Sequence, residues 1–285
     1  MNDDERRRVD EAGLCHDADA IPKVPEAGEV RLDDKGHRVQ VMHNGLVVAA
    51  DGYYGSFVTQ IIERMRGHHE PQEEKVFHEI LKVVPPASTM LELGAYWAYY
   101  SLWFQKALPG ATNFMIEPAP AALKCGIRNF ELNRMRGDFT LAYIGRTSSE
   151  GWQMANLQTP PEAVGRVCVT DFVRAKRIER VTLLHSDIQG FEYDMLRGCG
   201  ELIDQRQIRF LFISTHSLKV HFQCRRHLLH RGYTLITEHT PNESYSEDGL
   251  LVAAADATAL PPVEVSKRPI SPRQKLKAAF FKLTA

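Results

Sequence analysis

The chain has 285 residues, 44% of them hydrophobic and 25% charged, with 19 glycines and 15 prolines. These are ordinary globular proportions, and they exclude a collagen-like or wholly disordered chain. With 35 basic against 36 acidic residues the formal charge is −1, so the chain carries no overall electrostatic footprint for nucleic acid, and none is expected as a partner. Five cysteines lie far apart and form no CxxC pair. That argues against a disulfide framework or a structural zinc site and points to a reducing, cytoplasmic location. The charged N-terminus does not read as a signal peptide, and no stretch approaches the roughly eighteen apolar residues of a membrane span.

Residues 1–40 are polar, acidic-leaning and without period, and read as a loose arm. From Val41 the pattern changes, and residues 41–48 read as a short strand pair about the Asn44-Gly45 turn. Residues 57–65 and 73–84 read as helices. In the second, Val76, Phe77, Ile80, Leu81 and Val84 share a face, and Pro85-Pro86 ends it. A regular section follows. Strands are expected at 89–93, 113–116, 139–144, 181–186 and 209–213, and helices at 99–108, 119–133, 169–175, 193–203 and 220–230. Residues 146–166 form a polar, proline-containing insertion. Residues 233–236 and 250–253 make a closing pair, close in sequence and therefore antiparallel. Short apolar strands alternating with helices imply an α/β fold, a mostly parallel sheet with helices on both faces and an antiparallel closing strand. From Val265 the tail carries Lys267, Arg268, Arg273, Lys275, Lys277 and Lys282 with no acid, beside Phe280 and Phe281. It reads as a solvated helix, with weak contact to a membrane surface or a partner as the second reading.

In an open α/β sheet, ligands bind beyond the carboxyl ends of the strands. The strand at 89–93 ends in Glu92-Leu93 and is followed by Gly94, Ala95 and Tyr96; after the strand at 113–116 come Glu117 and Pro118. An acid ending the second strand suits a ribose diol, whose two hydroxyls one carboxylate accepts. An acid in the first strand–helix loop suits a cationic amine. Adenosylmethionine has both groups. A dinucleotide pyrophosphate instead needs glycine at close approach, and those positions hold Tyr96 and Ala98. After the strand at 181–186 come Asp187 and Glu192, and after the strand at 209–213 comes His216. All should open on the same edge as Glu92 and Glu117. Together they could deprotonate a hydroxyl or hold a divalent cation that acidifies it.

These residues match a family. The string from Leu91 to Leu102, then Ile116-Glu117-Pro118, then Ser186-Asp-Ile-Gln-Gly-Phe-Glu192, then a strand ending in His216, resembles the FkbM family of adenosylmethionine-dependent methyltransferases over roughly residues 75–240. The resemblance implies a class I methyltransferase, Rossmann-like fold and O-methylation of a hydroxyl, often on a sugar or polyketide. It implies that Glu92, Gly94 and Glu117, with Ala95, Tyr96 and Pro118 in the same loops, bind the cofactor. Asp187, Glu192 and His216 would border the acceptor. From their own chemistry they are expected to act in catalysis, with His216 or Asp187 as the base and Glu192 orienting it. The family usually has Asn and Gly where this chain has Tyr96 and Ala98. It usually has Lys where this chain has His185, and often Glu where it has Ser214.

Four segments follow: the arm at 1–40, N-terminal elements at 41–85 roofing the acceptor site, the methyltransferase domain at 86–257 and the basic tail at 258–285. In the roof, His68, His69 and Glu70 are expected to touch the acceptor, and Tyr53 and Tyr54 to stack on a sugar ring. The alternative for this stretch is a plain helix N-terminus, with Pro71 in the first turn and Glu73 and Glu74 complementing the dipole. Residues 146–166 and 240–248 are expected to shape the same pocket. The competing function classes are a catalytically inactive adenosylmethionine-binding module, an NAD-dependent oxidoreductase and, last, an N-methyltransferase on nucleic acid.

Overall fold

A computed structural model describes residues 1–284. The first helix, α1 (Asp3–Ala12), starts with a capping box in which the Asn2 side chain accepts from the Glu5 N–H at 2.9 Å and Glu5 accepts from the Asn2 N–H at 2.7 Å. Asp3, Asp4 and Glu5 add negative charge to its first turn. α1 packs on α2 (Ser56–Arg64), burying Val9 and Ala12, and the chain beyond it buries Cys15 and Ala18. The expected loose arm is therefore corrected. Its few apolar residues are too sparse to show a period, yet they meet a partner helix far along the chain.

Strands β1 (Val30–Leu32), β2 (Arg38–Val41) and β3 (Val47–Ala49) form a small antiparallel sheet, with β2 and β3 joined through the expected Asn44-Gly45 turn. α3 (Pro71–Val83) follows and lays Val76, Phe77 and Ile80, all wholly buried, against the main sheet. Phe77 meets Tyr100, Trp103 and Phe212 at ring distances of 4.9, 5.1 and 6.0 Å.

The main section runs β4 (Thr89–Leu93), α4 (Tyr99–Ala107), β5 (Thr112–Glu117), α5 (Pro120–Leu132), β6 (Asp138–Leu141), β7 (Tyr143–Ile144), β8 (Arg166–Val167), α6 (Val169–Ala175), β9 (Val181–Ser186), α7 (Glu192–Gly198), α8 (Gly200–Asp204), β10 (Ile208–Thr215), α9 (Leu218–His230), β11 (Thr234–His239) and β12 (Gly249–Ala254). α10 (Pro272–Thr284) closes the described chain. The seven-stranded sheet has the order β11-β12-β10-β9-β4-β5-β6. β4, β5, β6, β9 and β10 are parallel, and β12 runs antiparallel between β10 and β11. This is the class I methyltransferase arrangement. Side chains alternate across the sheet: Met90, Leu183, Phe210 and Phe212 face one core, and Leu91, Leu184, Leu211 and Ile213 the other.

Two expectations shift in detail. The helix expected at 193–203 is two helices, broken at Cys199, whose φ of −114° and ψ of 20° leave the helical region. The strand expected at 139–144 breaks at the buried Ala142, and β7 leaves the sheet to pair with β8. The strand order reverses at the parallel pair β4 and β9, with β5 and β6 added on one side and β10 on the other, so the switch point lies between their carboxyl ends.

Candidate active site

At the switch point the chain makes its tightest crossing. Gly94 follows β4 with φ +73°, and a Cβ there would stand 1.7 Å from the Asp187 carbonyl oxygen. Only glycine fits. The Gly94 N–H donates to the Ile116 carbonyl at 2.8 Å and the Asp187 N–H to the Leu93 carbonyl at 2.9 Å, so three strand ends are tied together. Glu117, at the end of β5, accepts from the Tyr96 N–H at 3.1 Å on one oxygen and from the Ala119 N–H at 2.9 Å on the other. Burial pushes its carboxyl above the usual range. Gly94, Tyr96, Glu117 and Pro118 line a largely apolar cleft of about 460 Å³ that also takes in Tyr53, Tyr54 and Asp187. Glu92 does not reach this cleft. It is buried beneath α4, where it accepts from the Ser101 N–H at 3.1 Å, and burial pushes it up to about 6. The expectation that it meets a cofactor amine is corrected: its length and the fully wrapped first turn of α4 turn it inward. Ala95 is likewise buried behind the cleft wall.

Beside the cleft lies a polar cavity of about 290 Å³, bounded by Arg8, Glu11, His69, Glu70, His216 and Asp248. Tyr53, Tyr54, Asp187 and Gln189 border both spaces. Tyr53 is held in place by face-to-face stacking on Trp97, with centroids 4.5 Å apart, and by the edges of Tyr54 and Tyr96. Tyr53 and Tyr54 thus form an aromatic partition between the two spaces.

His216, just past β10, gathers the three acids around it. Its Nδ1 meets Glu192 Oε1 at 2.8 Å, and that oxygen also accepts from the Gly190 N–H at 2.8 Å. Its Nε2 lies 3.1 Å from Asp187 Oδ1 and 3.5 Å from Asp248 Oδ1. Burial presses the imidazolium down, but Asp187, Glu192 and Asp248 outweigh it and hold the ring up at about 11. Burial, with Asp187 nearby and His216 opposing, pushes Asp248 up to about 8. A carboxylate faces each nitrogen of His216, so the ring keeps its proton unless a cation takes that proton's place at Nε2. Its expected role as a free base does not fit this geometry.

The roof divides the sequence candidates. His69 and Glu70 line the polar cavity. His69 sits between Glu70 and Glu74 at 3.1 and 2.7 Å, and these acids overcome burial to raise it to about 10. Glu70 also accepts from the Tyr100 hydroxyl at 3.0 Å. His68 lines neither space. It is buried against Glu74 and stacked on His43 at 4.3 Å, so its expected acceptor contact is corrected. Glu74 instead accepts from the His69 N–H at 2.9 Å and closes the start of α3. Glu73 points down into the sheet, accepting from Ser214 Oγ at 3.0 Å and meeting His185 Nε2 at 2.7 Å. Burial and the nearby Glu70 push Glu73 up to about 7.

The profile of the methyltransferase FkbM domain matches residues 76–235 of the 285. The chain belongs to the FkbM methyltransferase domain family. No curated protein matches it. Solved structures resemble it at low identity. M. capricolum TrmK, bound to S-adenosyl-homocysteine, is 14% identical over 69% of this chain and 71% of its own, with a TM-score of 0.42. A precorrin-6y methyltransferase from Geobacter metallireducens is 14% identical over 64% of this chain and 88% of its own, with a TM-score of 0.40. A protein of the NADB-Rossmann superfamily from Streptococcus agalactiae is 12% identical over 74% of this chain and 80% of its own, with a TM-score of 0.40.

The departures from the FkbM pattern now have a physical setting. His185 and Ser214 meet on one carboxylate, that of Glu73 from α3. Tyr96 and Ala98 take the left-handed φ values of +42° and +57° in the loop after β4, and Tyr96 turns its ring to the partition. Two charged wall residues of this methyltransferase, Arg8 and Glu11, escaped the sequence reading, and Asp248 was expected only as part of the 240–248 stretch shaping the pocket. For the first two no signal existed, since α1 reads as an arm. For Asp248 one did. An antiparallel last strand begins at the edge where the parallel strands end, and the pairing of Gly249 with Thr215 sets residue 248 opposite residue 216.

Proposed function

We propose that this FkbM methyltransferase transfers a methyl group from S-adenosylmethionine to a hydroxyl of a small molecule or glycan, a sugar-type acceptor. One observation carries the reading: an apolar cleft ending in Glu117 opens beside an acid-rich polar cavity, with Asp187 and two tyrosines shared between them. The cleft's residues suit the cofactor. Glu117 spends one backbone bond on each oxygen, which leaves lone pairs for a ribose diol. Bound there, the cofactor supplies an electrophilic methyl on a sulfonium. The chain supplies the rest. Tyr53 and Tyr54 offer ring faces to a sugar and limit water at the junction. Glu70, held by His69 and the Tyr100 hydroxyl, offers an acceptor to hydroxyls of the substrate. Holding attacking oxygen, carbon and sulfur in line is the largest contribution expected of such a site.

The rival readings have less support. A dinucleotide would bring its pyrophosphate to Tyr96 and Ala98, where side chains stand in place of glycine. A nucleic acid would bring phosphates to a cavity walled by Glu11, Glu70, Asp187, Glu247 and Asp248. All five cysteines are free thiols, which supports a reducing, cytoplasmic setting. No helix among the described residues is long and apolar enough to cross a membrane. α10 supports weak contact with an anionic membrane surface. Phe281 packs toward α9, while Leu276, Phe280 and Leu283 form an exposed stripe between Arg273 and Lys277 on one side and Lys275 and Lys282 on the other.

The deciding experiment is calorimetric titration with S-adenosylmethionine beside Glu117→Ala. Micromolar binding corresponds to about −8 kcal/mol. Loss of charge-assisted bonds to the diol should remove roughly 2–4 kcal/mol of it. No heat from the folded wild type would sink the cofactor assignment, and NADH would be titrated next. Cofactor binding without turnover on any hydroxyl acceptor would favour the inactive module.

A further inference from the structure

We propose that Asp187, His216 and Asp248 bind one divalent cation of the Mg2+/Mn2+ class at the junction of the two cavities, with Glu192 as the positioning residue behind His216. The argument is geometric. One ligand atom from each of the three residues lies within 4.8 Å of the others. The Nε2 of His216 is 3.1 Å from Asp187 Oδ1 and 3.5 Å from Asp248 Oδ1, yet it is shielded from solvent and has no hydrogen-bond partner of proper direction. Atoms held about 2.1 Å from a cation stand about 3.0 Å apart at neighbouring octahedral vertices and about 3.4 Å apart around a tetrahedron. The two nitrogen–oxygen separations match such ligand edges.

The surroundings agree. Metal-binding histidines pass their second N–H to a carboxylate, which fixes ring orientation and tautomer. Here Nδ1 faces Glu192 Oε1, and the Gly190 N–H holds that oxygen from behind. Glu192 is wholly buried, and its other oxygen has no partner. Charge also calls for a cation. Glu70 is met by His69, Glu73 by His185 and Glu247 by Arg8. Asp187, Glu192 and Asp248 share the single ring of His216. Two carboxylates and one imidazole, with an open side toward the cavity, suit a hard divalent ion. The other convergent group, His43, His68 and Glu74, is less suitable. Its two imidazoles are stacked 4.3 Å apart with planes 16° from parallel, so their in-plane lone pairs do not converge.

The role of the ion rests on the O-methyltransferase reading; its binding does not. Asp187, His216 and Asp248 would hold the ion, and the ion would supply the positive charge that makes a neighbouring acceptor hydroxyl more acidic. Its proton passes to the second oxygen of Asp248. The oxygen–carbon bond forms as the carbon–sulfur bond breaks, and that electron pair stays on sulfur, which becomes a neutral thioether.

The test is an electron paramagnetic resonance titration of the chelator-stripped full chain with Mn2+, with cofactor calorimetry on the same samples. The expected result is one Mn2+ per chain, displaced by Mg2+. Binding should weaken at least about tenfold in Asp187→Asn and in Asp248→Asn, and about 10–100-fold in Glu192→Ala, with partial recovery in Glu192→Gln. The nitrogen coupling in the Mn2+ spin-echo spectrum should disappear in His216→Gln. A folded chain that binds S-adenosylmethionine but no Mn2+, or binds Mn2+ equally well in Asp248→Asn, overturns the cation site and leaves the methyltransferase reading standing. The three acids would then be an ion-pair cluster or a seat for an acceptor amine. A folded chain that binds Mn2+ as predicted but no S-adenosylmethionine overturns the methyltransferase reading instead.

Discussion

Replacing Gly94 with alanine tests how the two cavities are held together. A Cβ at this position would stand 1.7 Å from the Asp187 carbonyl oxygen, where real contacts stay above 3.0 Å, so the loops after β4 and β9 must part by more than 1 Å. The Leu93–Asp187 backbone bond of 2.9 Å resists that movement. Two costs add. The left-handed φ of +73° penalises an alanine by about 1–2 kcal/mol. Forcing the backbone apart adds about 1–3 kcal/mol. Gly94→Ala should therefore lose about 2–5 kcal/mol in urea unfolding at neutral pH. Because Asp187 borders both spaces, its displacement should also weaken S-adenosylmethionine binding at least about tenfold, or about 1.4 kcal/mol. Calorimetry on the folded fraction reads the second effect apart from the first. If Gly94→Ala keeps stability within about 0.5 kcal/mol and affinity within about threefold, the loops are not locked as described and the reasoning fails.

Three further outcomes are expected. Phe77→Ala should cost about 3–5 kcal/mol and shift one cooperative transition, because this wholly buried ring joins α3 to the main sheet; a separate early transition would show that the N-terminal elements fold apart. Glu238, in contact with Arg225 at 2.9 Å and His221 at 3.3 Å, is held down at about 2 despite burial. Its stabilising effect is present above the ordinary carboxylate value and is lost as pH falls toward 2. The stability gap between wild type and Glu238→Gln should be up to roughly 3 kcal/mol at pH 6 and narrow steadily below about pH 4.5; a gap that does not change with pH would contradict this assignment. The third concerns α10: the chain should sediment with vesicles rich in anionic phospholipid at low salt and not with neutral ones. The triple change Lys275→Glu, Lys277→Glu, Lys282→Glu should abolish that, and equal sedimentation of wild type and variant would remove α10 as the contact.

The sequence by itself determined most of the main sheet. Runs such as Thr89–Leu93 and Val181–Ser186 are buried on both faces, so each carries adjacent apolar residues (Met90-Leu91, Leu183-Leu184) that stand out without any partner being known. Helices such as Val169–Ala175 carry their register in local periodicity. Gly94, Glu117 and Asp187 were legible because each follows a recognisable strand, and strand ends share one edge. Tertiary structure alone decided what depends on distant pairing. α1 has too few apolar residues to announce itself, and only α2 makes it a roof. Glu92 and His68 have the right chemistry for a site, but the turn of α4 and the stack on His43 bury them inward. Glu73 looks like a dipole acid from its position, yet the fold carries it over β9 and β10 to His185 and Ser214. Asp248 becomes a neighbour of His216 only because β12 enters the sheet backwards, bringing its first residue to the edge where the parallel strands end.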